Sequence, residues 1–321
     1  MNAFGALAVA TPLLVIAQKS ATAVRLAFIS AATVEASRDN VASFRDEMRK
    51  LGWVEGRNVV IEYRFAGGDT SKLPVLIAEV LRHKPDLIVI TSTPGAQAAK
   101  AATTSVPVVF SMVSDPIASG VVVNLARPGG NLTGWSNLLP ETSQKLLELL
   151  KEVIPKALRL AVLFDPSNQG KVVEVKVLQD VARSARVSLR LVEARNAEGL
   201  KAAFDSLTTE RPDGLIVLQD NVTGEHRKEI VEFAARIRLP AIYQVREFAD
   251  AGGLLSYGMN MPEQFRRSAF YADRILRGAR PSDLPVEQPT KFELVVNMKT
   301  AKALGLSIPQ SILLRADRVI E

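Results

Sequence analysis

From Val24 onward, short runs of β-branched and other apolar residues alternate with stretches of helical spacing, and the alternation runs twice along the chain. That order calls for parallel sheets with crossover helices, since each helix returns the chain to start a strand in the same direction. In the first series Arg25–Ser30, Asn58–Arg64, Asp86–Ile90, Pro107–Phe110 and Leu132–Trp135 read as strands. Ser37–Leu51 carries Val41, Phe44, Met48 and Leu51 at helical spacing before Gly52, and Leu73–Leu81 and Pro94–Thr104 read as further helices. A helix at Glu141–Val153 opens the second series, with strands at Leu158–Phe164, Val187–Val192, Gly214–Leu218 and Pro240–Tyr243. The expected fold is α/β, with two Rossmann-like lobes of parallel sheet.

Beyond Tyr243 the order changes. Gly252–Gly258 is a short apolar strand bracketed by glycines, and Glu263–Leu276 is a helix able to return to the first lobe. Pro281, Pro285 and Pro289 then punctuate an extended crossing before a strand at Phe292–Val296 and a helix at Thr300–Leu304. The chain therefore crosses between lobes near Trp135, near Gly258 and near Pro285, which makes a hinge. The expected division is residues 24–136 with 259–285 in one lobe and 137–258 with 286–321 in the other.

Residues Ala3–Ala17 are mostly apolar and lead through Gln18, Lys19 and Ser20 to Ala21-Thr22-Ala23. This pattern reads as a signal peptide over residues 1–23, cleaved before Val24, although no Lys or Arg precedes its apolar part. The other reading is an uncleaved N-terminal helix. No later segment has the roughly 18 unbroken apolar residues of a membrane span, so no stable membrane insertion is expected after cleavage. The chain has no cysteine, which excludes disulfides, thiol nucleophiles, cysteine zinc sites and a lipid-modified N-terminal cysteine. Its 2 histidines, His83 and His226, lie far apart in sequence, so no metal or cofactor is expected. The formal charge of +6 is spread over residues that neighbour Glu or Asp, without the basic stripe that nucleic-acid binding requires.

The densest stretch is Pro107–Gly134, where a buried strand ends abruptly at Ser111, Ser114, Asp115 and Pro116 and two glycine-dependent bends follow. Ligands of open α/β sheets sit beyond the carboxyl ends of the strands, so residues just past each strand are candidate contacts. In the first lobe these are Ser30, Thr91, Thr93, Ser114 and Asp115. Thr91–Gly95 opens a helix, with Thr93 suited to cap it and Pro94 to its first position. Its free N–H groups offer a cradle for a carboxylate; a plain helix cap is the other reading. Asp115 before proline is either a ligand contact or a turn initiator. In the second lobe the candidates are Asn168, Gln219, Asp220 and Tyr243, with Asp220 the expected partner of a ligand ammonium and Phe164 or Tyr243 placed over an apolar ligand body, although strand alternation favours a core place for Phe164.

The segment PVVFSMVSDPIASGVVVNLARPGGNLTG resembles the tryptophan/tyrosine-type substrate-binding proteins of ABC importers. LGWVEGRNVVIEYR, KPDLIVITSTPGAQAAK, GGLLSYG and PVEQPTKFELVVNMKTAKALGL are similar to further stretches of that family, in its order, across nearly all of Val24–Ile320. The resemblance implies a type I periplasmic-binding fold. It also implies a periplasmic receptor that closes on a small ligand, such as an amino acid, and delivers it to permease and ATPase subunits. No P-loop, G-x-S-x-G elbow, H-E-x-x-H or G-x-G-x-x-G fingerprint appears, so no catalysis is expected. The alternatives are a sensor of the same fold for a signalling partner, and an enzyme using Asp115 and Asp220 in the same cleft.

Overall fold

The computed structural model describes residues 23–137 and 140–321. The proposed signal segment thus lies outside the described residues apart from Ala23. The first series forms β1 (Val24–Ser30), α1 (Val34–Lys50), β2 (Val59–Phe65), α2 (Leu73–Arg82), β3 (Leu87–Thr91), α3 (Thr93–Ala102), β4 (Val108–Val113) and β5 (Leu132–Ser136). These five strands make one parallel sheet in the order β2-β1-β3-β4-β5. All five residues of β3 are buried, as expected of a strand covered by helices on both faces.

The second series runs α4 (Pro140–Val153), β6 (Arg159–Phe164), α5 (Gln169–Ser184), β7 (Ser188–Glu193), α6 (Ala197–Glu210), β8 (Gly214–Val217), α7 (Asn221–Glu225), α8 (Arg227–Arg236) and β9 (Ala241–Tyr243). It continues through α9 (Arg246–Asp250), β10 (Leu255–Met259), α10 (Met261–Leu276), β11 (Phe292–Asn297), α11 (Met298–Leu304), α12 (Gln310–Leu313) and β12 (Arg318–Ile320). The second sheet has seven strands in the order β12-β11-β10-β9-β8-β6-β7. Its pairs are parallel except β10 with β11, where the chain turns back after the last crossing.

Several boundaries differ from expectation for local reasons. Helix α1 begins at Val34 rather than Ser37 because the Thr33 side chain accepts the Ala36 N–H and caps it. Helix α3 is capped by Ser92, not Thr93: Ser92 stands at φ 73° and its hydroxyl accepts the Gly95 N–H at 3.3 Å. Strand β12 and helix α12 were not foreseen; at three and four residues they are too short for periodicity to reveal.

Helix α10 packs on α1 and on β3, β4 and β5, so the chain returns to the first sheet after β10. Phe265 lies 6.1 Å from Phe28 between ring centroids, and the Trp53 indole N–H donates to Asp273 at 2.8 Å. The last crossing is stitched to the first. The Ser136 N–H donates to the Glu287 carbonyl at 3.0 Å, the Glu287 N–H donates to the Gly134 carbonyl at 3.1 Å, and Arg267 grips the Glu287 carboxylate through two nitrogens.

At the second crossing β10 runs so close to the end of β9 that a Cβ on Gly258 would sit 1.6 Å from the Gln244 carbonyl oxygen. Only glycine fits there without moving backbone. Gly258→Ala is expected to lower the unfolding free energy by about 1–3 kcal/mol, in the range of overpacked cores. Thermal unfolding of the purified variant checks this: an unchanged midpoint would mean that the crossing yields freely.

Candidate functional site

The carboxyl ends of the two sheets face each other across a cleft of about 840 Å³, open solvent included. From the first lobe it is lined by the ends of β1, β3 and β4 and the start of α1; from the second, by residues after β8 and β9. Phe28, Phe248, Phe265, Met112 and Met261 supply its apolar surface. Gln219, Asp220, Glu225, Arg227 and Glu247 supply much of its polar surface. The Thr33 hydroxyl donates to the Glu225 carboxylate across the mouth at 2.7 Å, which ties one lobe to the other.

Four of the nine residues proposed from sequence line this cleft: Ser30, Thr91, Gln219 and Asp220. The hydroxyls of the first two are engaged in shaping the floor. Thr91 Oγ1 accepts the Ala31 N–H at 3.1 Å, and Ser30 Oγ accepts the Ala32 N–H at 3.2 Å while the Ser30 and Ser37 hydroxyls are hydrogen-bonded to each other at 2.8 Å. The backbone donors at the end of β1 are thereby spent within the fold. The α3 start, expected as a carboxylate cradle, bonds its Gly95 N–H to Ser92 Oγ and its Ala96 N–H to the Ser92 carbonyl.

Thr93 and Ser114 meet elsewhere, at a contact between the lobes, where they face Gly170, the residue that Asn168 holds. Thr93 is fully buried and its Oγ1 accepts the Ser114 N–H at 3.0 Å, while the Ser114 hydroxyl donates to Asn137 at 3.1 Å. Asn168 caps α5 by accepting the Gly170 N–H at 3.1 Å. Gly170 then rests directly on the first lobe: a Cβ there would lie 2.5 Å from Ser114 Cβ and 2.7 Å from Thr93 Oγ1. Asp115, at φ 35°, turns the chain and accepts the Ala118 N–H at 3.0 Å. Tyr243 is not placed over the cleft, and Phe164 takes the core place that strand alternation favours. Both are buried in the core, Tyr243 stacked on Phe248 at 4.7 Å.

Asp220 is buried with both carboxylate oxygens held by backbone. Oδ2 accepts the Asp165 N–H at 2.7 Å and Oδ1 the Thr223 N–H at 2.8 Å, while Thr223 Oγ1 accepts the Asp220 N–H at 3.0 Å. This reciprocal cap starts α7. Burial pushes the Asp220 carboxyl up from 3.8 to about 6, against the pull of the Thr223 N–H.

Sequence reasoning did not single out Glu247, Arg227 or the cleft aromatics. Phe28 reads as an ordinary strand residue, and Glu247 lies on α9, one step beyond the strand end that the loop rule inspects. It also missed a buried charge pair behind the cleft. Lys171 Nζ donates to Glu174 at 2.7 Å with both side chains 3% exposed, and to Gln244 Oε1 at 3.1 Å. Gln244 donates to Glu174 in return, and its Oε1 accepts the Gln219 N–H at 2.7 Å. The pair thus fixes a residue of the cleft wall.

The sequence matches the family described as ABC transporter substrate binding protein over residues 26–320. The chain belongs to that family. It is 29% identical over 263 residues to a tyrosine-binding protein of Clostridioides difficile (strain R20291), covering 82% of this chain and 75% of the relative. Among solved structures, a conserved domain protein from Vibrio cholerae matches at TM-score 0.88 and 26% identity, covering 93% of this chain and 100% of the other. An ABC domain from Streptococcus pneumonia in complex with L-Trp matches at TM-score 0.87 and 24% identity, with 93% and 100% covered. The ligand-free, open structure of a substrate-binding protein with adhesive properties from Clostridium difficile matches at TM-score 0.66 and 27% identity, with 92% and 99% covered. The two parallel-sheet lobes are those of the type I periplasmic-binding fold, shared with sugar- and polyol-bound transporter proteins at lower identity. No helix among the described residues is long and apolar enough to cross a membrane.

The raised Asp220 carboxyl has a pH consequence. The folded chain holds this proton more tightly than the unfolded chain, so the group's contribution to stability is full below about pH 3.8 and is lost as pH rises through about 6. Asp220→Asn cannot ionise. Whatever its fixed offset, its melting temperature is expected to climb relative to wild type between about pH 4 and pH 7. Parallel melting curves across that range would refute the shift.

Proposed function

We propose that this chain is the extracytoplasmic solute receptor of an ABC importer, and that it binds an amino acid with an apolar side chain in the interlobe cleft without transforming it. The observation that carries the reading is the cleft itself. It joins the carboxyl ends of two parallel sheets, has an aromatic floor formed by Phe28, Phe248 and Phe265, and holds few converging polar groups. The relatives named for tyrosine and L-Trp support an aromatic amino acid as the ligand class. Membership of the family supports export, cleavage near Ala23 and delivery to permease and ATPase subunits.

The lobes of the clamp are residues 24–136 with 259–285, and 137–258 with 286–321. The chain superposes far better on the L-Trp complex than on the open, ligand-free protein, at TM-scores of 0.87 and 0.66, although identity is similar. That contrast supports a closed arrangement here, as do the Thr33–Glu225 bond and the seat of Gly170 on Ser114. Ligand binding would then stabilise the closed form over an open one by hinge motion at the three crossings.

Mass spectrometry of small molecules released from gently purified protein identifies the ligand, with an aromatic amino acid expected. Calorimetry with that ligand then tests the clamp. Gly170→Ala inserts a methyl group into the interlobe contact and is expected to cost the closed form about 1–3 kcal/mol, weakening affinity about fivefold to a hundredfold. Unchanged affinity would place the Gly170 contact outside the closing motion. Release of no small molecule, together with no heat from any amino acid, would contradict the receptor reading.

A further inference from the structure

Among the described residues, the buried side-chain atoms of the cleft lining that lack a hydrogen-bond partner are Gln219 Oε1 and Glu247 Oε2. Both are acceptors. The Gln219 amide is oriented by its own Nε2, which donates to the Asp220 carbonyl at 3.1 Å, and by its backbone N–H on Gln244, so its oxygen is the free end. Glu247 has no ion pair within 4.0 Å among the described residues: Arg246 beside it reaches Glu293 instead, and Arg227 donates to the Gly224 carbonyl. Glu247 also borders Phe248, part of the apolar floor.

The donor side of the cleft is correspondingly thin. The N–H groups of Ala31 and Ala32 are held by Thr91 and Ser30, which leaves the side-chain amides of Asn40 and Asn221 and the Arg227 guanidinium, one nitrogen of it on the Gly224 carbonyl, as the donors of the lining. Among the described residues the lining carries Glu35, Asp39, Asp220, Glu225 and Glu247 against one cation, Arg227, with Asp220 held by backbone N–H groups and Glu225 by Thr33. A buried acceptor without a donor is costly, and a buried carboxylate without a cation more so. A ligand that brings N–H donors and a positive charge to this wall removes both costs.

We propose that the ligand's ammonium group is its anchor, received by Glu247 and Gln219, and that an α-carboxylate is dispensable, so that the receptor takes primary amines with an aromatic-sized apolar body as well as amino acids. The inference rests on the receptor reading above and assigns the group that the cleft recognises. Burial pushes the Glu247 carboxyl up, with Asp250 adding to the rise, against a hydrogen bond from its own backbone and the charges of Arg246 and Arg227. Asp220, placed nearby, keeps its capping role and is not the ammonium partner.

Calorimetry on the full mature chain with three probe sets tests this. The sets are L-tyrosine and L-tryptophan, then tyramine and tryptamine, then 3-(4-hydroxyphenyl)propionate and indole-3-propionate. The amines are expected to bind within about tenfold of the amino acids, and the two acids lacking the amino group at least about a hundredfold more weakly. Glu247→Gln, folded by circular dichroism, is expected to weaken amines and amino acids alike by about tenfold or more. Amines weaker than that tenfold window, acids that bind as well as the amino acids, or a Glu247→Gln variant of wild-type affinity would each overturn the inference while leaving the receptor reading standing. Failure of all six probes would overturn both. The probe series on the wild-type chain needs no variant, so misfolding of Glu247→Gln cannot shield the inference.

Discussion

The shape of the cleft depends on one contact made possible by a missing side chain. Gly170, in the first turn of α5, lets the second lobe rest on Thr93 and Ser114 at distances no Cβ could share. The next residue, Lys171, is buried with Glu174 and bonds Gln244, which in turn holds the Gln219 backbone at the cleft wall. The seat of one lobe on the other is therefore linked through three side chains to a residue that lines the cleft. A buried charge pair is a poor source of net stability, but breaking one member strands the other at a cost of about 3–5 kcal/mol. Its value here is positional, since it fixes where β8 and β9 present their ends.

The cleft divides its polar groups into those the fold consumes and those it leaves over. Hydroxyls and N–H groups at the ends of β1 and β3 satisfy one another, and Asp220 is absorbed into the cap of α7. Beside an apolar floor, the buried side-chain atoms of the lining left without a partner among the described residues are Gln219 Oε1 and Glu247 Oε2. Specificity in such a site follows from unmatched groups, because a partner that fails to match them leaves the penalty in place.

The two-lobed architecture was legible because β-rich runs buried on both faces alternate with helices carrying apolar stripes, and neither pattern depends on distant contacts. The return of α10 to the first lobe was legible from the change of order after Tyr243. The site was legible only as a set of strand ends. Thr93 followed by proline looks like a helix cap, yet the chain places Ser92 there at positive φ, a choice set by β3 and β4 rather than by local preference. Tyr243 is held in the core by the pairing of β9 with β8 and β10 and by stacking on Phe248, contacts that lie far from it in sequence or beyond its strand. Asp220 followed three residues later by Thr223 is a capping spacing that sequence inspection could have used. Glu247 left no such trace, since its role depends on the cleft formed by chain segments far apart in sequence.

Small-angle scattering of the mature chain with and without its ligand tests the hinged clamp most directly. A smaller radius of gyration is expected on binding, with unchanged secondary structure, and a smaller change or none in Gly170→Val, whose side chain would meet Ser114 and Thr93. Identical profiles for ligand-free and ligand-bound wild type, at a ligand concentration shown by calorimetry to saturate it, would contradict the clamp.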